Sequence, residues 1–117
     1  MPPLTTPVFQ ILLSLADRDL HGYAIIQDIV RRTDGELRLT ASTLYAAVKR
    51  LLDAELISEV GKPSRHADDD PRRRYYRLTA SGRELAREEA RRVERLAQMA
   101  RAKRLIPQLR PSRPSAP

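Results

Sequence analysis

The sequence predicts a mainly α-helical fold with one small β-hairpin, and three observations carry that expectation. Apolar residues recur at helical spacing in four separate stretches of the chain. Two short stretches near the middle read as strands and flank a polar loop. Leu, Ala and Arg dominate the composition while only four of 117 residues are Gly, which favours helix over sheet. That length has room for one domain, and with no Trp and one Phe its core must be aliphatic.

Met1–Thr6 reads as a disordered lead-in. Thr6 followed by Pro7 is a helix start, a hydroxyl cap before a residue whose missing N–H costs nothing there. Val8, Ile11, Leu12 and Leu15 follow at helical spacing to about Ala16, and Asp17-Arg18-Asp19 ends the run. In the second helix Tyr23, Ile26, Ile29 and Val30 are expected on one face with Ile25 beside it, up to about Thr33. Asp34-Gly35 is a turn, and Leu37 and Leu39 in the connector both point inward.

Thr40 caps a third helix, with Ser42 and Thr43 as further hydroxyls in its first turn. Leu44, Val48, Leu51 and Leu52 form its buried stripe, and it ends near Ala54. Leu56–Val60 reads as a strand, 61–72 as a loop containing Asp68-Asp69-Asp70, and Arg73–Leu78 as the returning strand. Thr79-Ala80-Ser81-Gly82 opens a long final helix to about Ile106, and the Pro/Ser-rich end from Pro107 cannot continue it. The expected organisation is therefore a lead-in over 1–6, a core domain over 7–78, a terminal helix over 79–106 and a disordered tail over 107–117.

Charge is distributed unevenly along the chain. The net formal charge is +7, yet residues 1–56 sum to −1 and residues 57–117 to +8. A cationic half on a neutral half points to a polyanionic partner, nucleic acid or an anionic membrane, with a merely solvated surface as the alternative. The chain has no Cys, which excludes disulfides, thiolate catalysis and cysteine metal sites. No leader pattern or membrane-length apolar run is visible, so a cytoplasmic protein without membrane contact is expected.

Three helices, a strand, a loop, a strand and a last helix form the order of a winged helix-turn-helix, whose third helix enters the DNA major groove while the hairpin lies over the backbone. The outward face of the third helix carries Ser42, Ala46, Lys49, Arg50 and Asp53, flanked by Thr43 and Tyr45, with Thr40 at its start. Small and hydroxylated residues admit close approach to base edges, and Lys49 and Arg50 supply charge. In the hairpin, Arg72, Arg73, Arg74 and Arg77 surround Tyr75 and Tyr76. Strand alternation sends one tyrosine inward and leaves the other on the arginine side, and Tyr75 is placed with the DNA-contacting residues. The alternative is a charged edge that discourages aggregation, but three consecutive arginines exceed that need.

The last helix has a different design. Ala86, Ala90, Val93, Ala97 and Ala100 recur at alternating four- and three-residue steps, widened by Leu85, Leu96 and Met99. Such a seam of small residues lets a partner helix approach closely, which predicts a homodimer. Packing of the first turns on the helix's own domain is the competing reading.

Four segments together resemble the PadR family of transcriptional regulators. They are Leu20-His21-Gly22-Tyr23-Ala24-Ile25-Ile26, Leu39-Thr40-Ala41-Ser42-Thr43-Leu44-Tyr45, Leu56-Ile57-Ser58, and the run from Arg73 to Gly82. The likeness covers roughly residues 8–105. It implies a dimeric winged-helix repressor on a palindromic operator, sometimes released by a small-molecule effector. It also places the family's helix-three tyrosine on Tyr45 and its basic wing residues on Arg73 and Arg74. Ala41 and Ala46 stand where many members carry Pro, and the single short terminal helix matches the smaller subgroup.

An enzyme is not expected. His21 and His66 sit on different segments, and no Ser/His/Asp set, phosphate-cradling Gly loop or metal-ligand spacing occurs. His21 reads as a local cap or packing residue. No catalytic residue, metal site or cofactor is expected. Two other readings stay open: a protein-binding module with an acidic partner, and a sensor whose effector sits at the dimer interface.

Overall fold

The computed structural model describes residues 4–62 and 72–108. His66 and the acidic run Asp68–Asp70 lie outside the described residues, as do the ends at 1–3 and 109–117. The elements run α1 (Thr6–Ser14), β1 (Leu20–His21), α2 (Gly22–Arg32), α3 (Ala41–Asp53), β2 (Ile57–Val60), β3 (Tyr75–Leu78) and α4 (Ala80–Ala102). The fold is mainly helical with a small antiparallel sheet in the order β1-β3-β2. The sheet therefore exceeds the expected hairpin by one strand. Leu20 pairs with Tyr76 and His21 with Tyr75, while Ile57, Ser58, Glu59 and Val60 pair with Leu78, Arg77, Tyr76 and Tyr75 on the other side.

Each helix start is closed by a side chain that accepts an otherwise unpaired amide of the first turn. Thr5, not Thr6, caps α1, with its Oγ1 accepting from the Val8 amide at 3.4 Å. His21 caps α2 through Nδ1, 3.1 Å from the Ala24 amide. Thr40 caps α3, and Thr79 caps α4 by accepting from Gly82. Three helix ends turn through a left-handed residue. Asp34, Glu55 and Arg104 have φ of 51°, 59° and 63°, and the amides of the residues that follow them, Gly35, Leu56 and Leu105, reach back to Val30, Leu51 and Ala100. At Arg104 this turn stops α4 at Ala102, short of the expected Ile106, because the backbone reverses before Pro107 is reached.

The core lies between the first three helices and one face of the sheet. Ile11, Leu12 and Leu15 of α1 and its end meet Ile25 and Ile29 of α2, Leu44, Val48 and Leu51 of α3, and Ile57, Tyr76 and Leu78 of the strands. Leu39 is buried and Leu37 packs against the cluster, as the connector's pattern implied. Tyr23 departs from the expected apolar face and is exposed, because the inward arc of α2 centres on Ile25 and Ile29. The lead-in also joins the fold at Leu4, which packs against the core and donates its amide to Glu89 Oε1 at 3.4 Å.

Two polar devices fasten the helices. Asp28, buried on α2, accepts from Ser14 Oγ at 2.8 Å, Arg31 Nη2 at 2.7 Å and Arg32 Nε at 2.8 Å, with Arg18 at 3.5 Å. Arg32 continues to Gln10 and Ser14, so α1 and α2 share one network. Burial pushes the Asp28 carboxyl up, but the bonds from Arg32 and Ser14 and the charges of Arg32 and Arg31 outweigh it and hold its pKa below the ordinary value. On α4, buried Glu89 is gripped by Arg92, which lowers its pKa.

The start of α4 is set by Gly82. A Cβ there would lie 1.9 Å from the Leu56 carbonyl oxygen, a backbone atom that cannot swing aside. The Thr79 amide donates to that same carbonyl at 3.1 Å, and its hydroxyl to Glu55 O at 2.7 Å. These contacts fix the direction in which α4 leaves the sheet.

Candidate nucleic-acid interface

Along α3 the inward positions are Leu44, Ala47, Val48 and Leu51, and the 3.6-residue period leaves Thr40, Ser42, Thr43, Tyr45, Ala46, Lys49 and Arg50 exposed. Thr40 and Thr43 are partly engaged with each other, since their hydroxyls lie 3.0 Å apart and Thr40 accepts the Thr43 amide. Lys49 is held only loosely by Asp53, 3.9 Å away, and both side chains are exposed. Its charge is thus available to a polyanion at little cost.

Beside α3 lies an open cleft of about 440 Å³, bounded by His21, Gly22 and Tyr23 at the start of α2, by Tyr45, and by Tyr76 and Arg72, Arg73 and Arg74. The three arginines precede β3 and are exposed, so the strand is shorter than the expected Arg73–Leu78. Arg74 reaches Glu59 only at 3.9 Å. Arg77, by contrast, is bound by both oxygens of Asp19 at 3.0 and 2.8 Å and ties β3 to the turn after α1.

Tyr75 is not a surface residue. It is 2% exposed, and the His21 ring meets it edge-on with centroids 5.3 Å apart. The alternation argument assumed a two-stranded hairpin with one open face. With β1 paired to β3, His21 covers the outer face at Tyr75 while Tyr76 enters the core on the inner face. Both tyrosines are buried, and burial pushes the Tyr76 phenol pKa up, with Tyr45 and Glu59 adding to the effect.

The structure thus brings Tyr45, Arg72, Arg73 and Arg74 to one cleft and leaves Thr40, Ser42, Thr43, Lys49 and Arg50 exposed along α3. Sequence reasoning missed His21 and Gly22 as walls of that cleft. A glycine in the first turn of an apolar helix was the available signal, because it lowers helix stability unless another group needs the space. Among the described residues, no group of three His, Asp or Glu could hold a metal ion, and no helix is long and apolar enough to cross a membrane.

The seam residues of α4 divide into two sets. Ala86 packs on the core and Leu85 is half-buried, so the first turns belong to the chain's own domain. Beyond them Ala90, Val93 and Leu96 are exposed and Ala97 and Ala100 are half-covered. Val93, Leu96 and Met99 are 42%, 49% and 61% exposed, respectively.

Comparison with known proteins agrees with this architecture. An uncharacterized protein of Lysinibacillus sphaericus is 36% identical over 74 residues, covering 62% of this chain, which in turn spans 64% of that protein's length. A transcriptional regulator from Clostridium thermocellum superposes with a TM-score of 0.68 at 26% identity, over 82% of this chain and 87% of that one. A PadR family transcription regulator from Clostridium difficile shares the fold with a TM-score of 0.70 at 23% identity, over 84% and 97% of the two chains. The model of the PadR-like family matches residues 11–88, from α1 through the first turns of α4. This chain belongs to the PadR-like family of transcriptional regulators.

Proposed function

We propose that the protein is a homodimeric, sequence-specific repressor that binds a palindromic operator. The observation that carries the reading is the run of exposed polar and cationic side chains on α3, beside the arginine-lined cleft. Ser42, Lys49 and Arg50 meet base edges or the flanking backbone, and Arg72, Arg73 and Arg74 neutralise phosphates. Residues 7–78 form the DNA-binding unit, acting in the cytoplasm, and the α4 segment within 79–106 joins two copies.

The support for pairing is the apolar stripe Val93, Leu96, Ala97 and Ala100, which continues the face that Ala86 packs on the core. One protomer leaves Val93 and Leu96 exposed and covers Ala97 and Ala100 only in part, and a second copy crossing at a two-fold axis buries the stripe.

Selection from a random duplex pool tests both halves of the proposal. Wild-type protein is expected to enrich a palindrome with half-sites about one helical turn apart. The Val93→Asp variant places like charges across the axis, so it is expected to sediment as a monomer and lose the full site. Enrichment of no motif, or a Val93→Asp monomer that still selects the palindrome with wild-type affinity, would contradict the proposal.

A further inference from the structure

Tyr45 does not stand clear of its surroundings. A Cβ built on Gly22 would lie 2.5 Å from the Tyr45 hydroxyl oxygen and 2.9 Å from Cζ, so the phenol lies directly over the first turn of α2. There it forms one wall of the cleft shared with His21, Arg73 and Arg74, while the ring remains 51% exposed. The absence of a side chain at Gly22 is what lets the hydroxyl reach this position.

The other walls carry hydrogen-bond donors. His21 accepts the Ala24 amide on Nδ1, which holds its ring at the start of α2. Its Nε2 lies 3.2 Å from Arg73 Nη1, within hydrogen-bond distance, so the ring and a guanidinium are held together on one wall of the cleft. The cleft thus places the phenol beside an imidazole and cationic guanidinium groups, which favour an anionic oxygen.

We propose that Tyr45 grips the DNA backbone, donating to a phosphate oxygen in this cleft, and that Gly22 is a positioning residue that aims it. Base discrimination is then left to Ser42 and the later turns of α3. The proposal rests on the DNA-binding reading above and gives Tyr45 a defined task within it.

The test uses the full-length protein and a labelled mixed-sequence duplex of roughly 30 base pairs, about three helical turns, read by fluorescence anisotropy. Mixed-sequence DNA isolates backbone contacts from base recognition. Tyr45→Phe removes only the hydroxyl. Gly22→Ala displaces it: the two atoms nearer than 3.0 Å are the far end of the Tyr45 side chain, while the buried Leu44 Cδ2 at 3.1 Å has to give by a few tenths of an ångström, so the fold is expected to survive. Each variant is expected to weaken binding roughly fivefold, the equivalent of one hydrogen bond. The double variant is expected to be no weaker than the worse single, since both remove the same contact. Gln98→Ala, exposed on α4 and outside the walls of the cleft, is expected to bind this duplex as the wild type does.

Full wild-type affinity of Tyr45→Phe for mixed-sequence DNA overturns the proposal, and loss of operator preference alone in that variant does so as well. A wild type that binds no duplex defeats the underlying DNA reading instead, so the two failures are distinguishable. Thermal melting by circular dichroism checks Gly22→Ala. If that variant is unfolded, Tyr45→Phe decides alone.

Discussion

Around Asp28, the side chains of Arg18, Arg31 and Arg32 converge on one buried carboxylate, whereas Arg72, Arg73 and Arg74 line an open cleft beside α3. Both regions hold three arginines. In the first the guanidiniums neutralise a carboxylate, bond at 2.7–2.8 Å in two of three cases, and fasten α1 to α2. In the second Arg74 meets Glu59 only at 3.9 Å, and all three side chains face outward next to the exposed side of α3. Charge count alone therefore does not separate the two regions; the burial of the countercharge does, and the open cleft is the one that the proposed function assigns to DNA.

The largest effect expected from this contrast is on stability. Asp28→Ala strips the shared acceptor from Ser14, Arg31 and Arg32 and is expected to lower unfolding free energy by about 3 kcal/mol, as for other broken buried pairs. Denaturant unfolding measures it. A loss under about 1 kcal/mol, the usual scale for exposed pairs, would mean that the network is only a surface decoration.

Acid sensitivity follows from the same carboxylate. The folded-state pKa of Asp28 lies below its ordinary value of 3.8, so its contribution is complete above 3.8 and disappears as pH falls through the lower folded value. Wild-type protein is expected to lose stability below pH 3.8 more steeply than Asp28→Asn, in melts at stepped pH. Parallel profiles would remove Asp28 from the acid response. The smallest effect belongs to the cleft, where Arg73→Ala with Arg74→Ala is expected to leave stability within about 0.5 kcal/mol of wild type.

Much of this arrangement was legible in the sequence. Thr40 and the Leu44, Val48 and Leu51 stripe defined α3, and the Asp34-Gly35 turn fell where expected. What escaped was whatever depends on tertiary pairing. Leu20–His21 is too short to show alternation and becomes a strand only because β3 offers it an edge. That pairing buried Tyr75 and removed it from the expected DNA surface. Asp28 reads as an ordinary polar residue in an amphipathic helix, because its partners Ser14 and Arg18 lie on other segments. The end of α4 escaped because a non-glycine residue, Arg104, takes the left-handed turn.

The most direct test of the account compares two charge-matched variants on the same duplex across a salt series. Arg73→Ala with Arg74→Ala and Arg18→Ala with Arg31→Ala each lower the net charge from +7 by two. The account predicts that the first pair weakens DNA binding by roughly tenfold or more at physiological salt and makes the slope of log affinity on log salt shallower by about 2. It predicts that the second pair, with Arg32 and Ser14 still holding Asp28, binds with the wild-type slope. Equal losses in both variants would contradict it, because binding would then follow net charge and not the cleft beside α3.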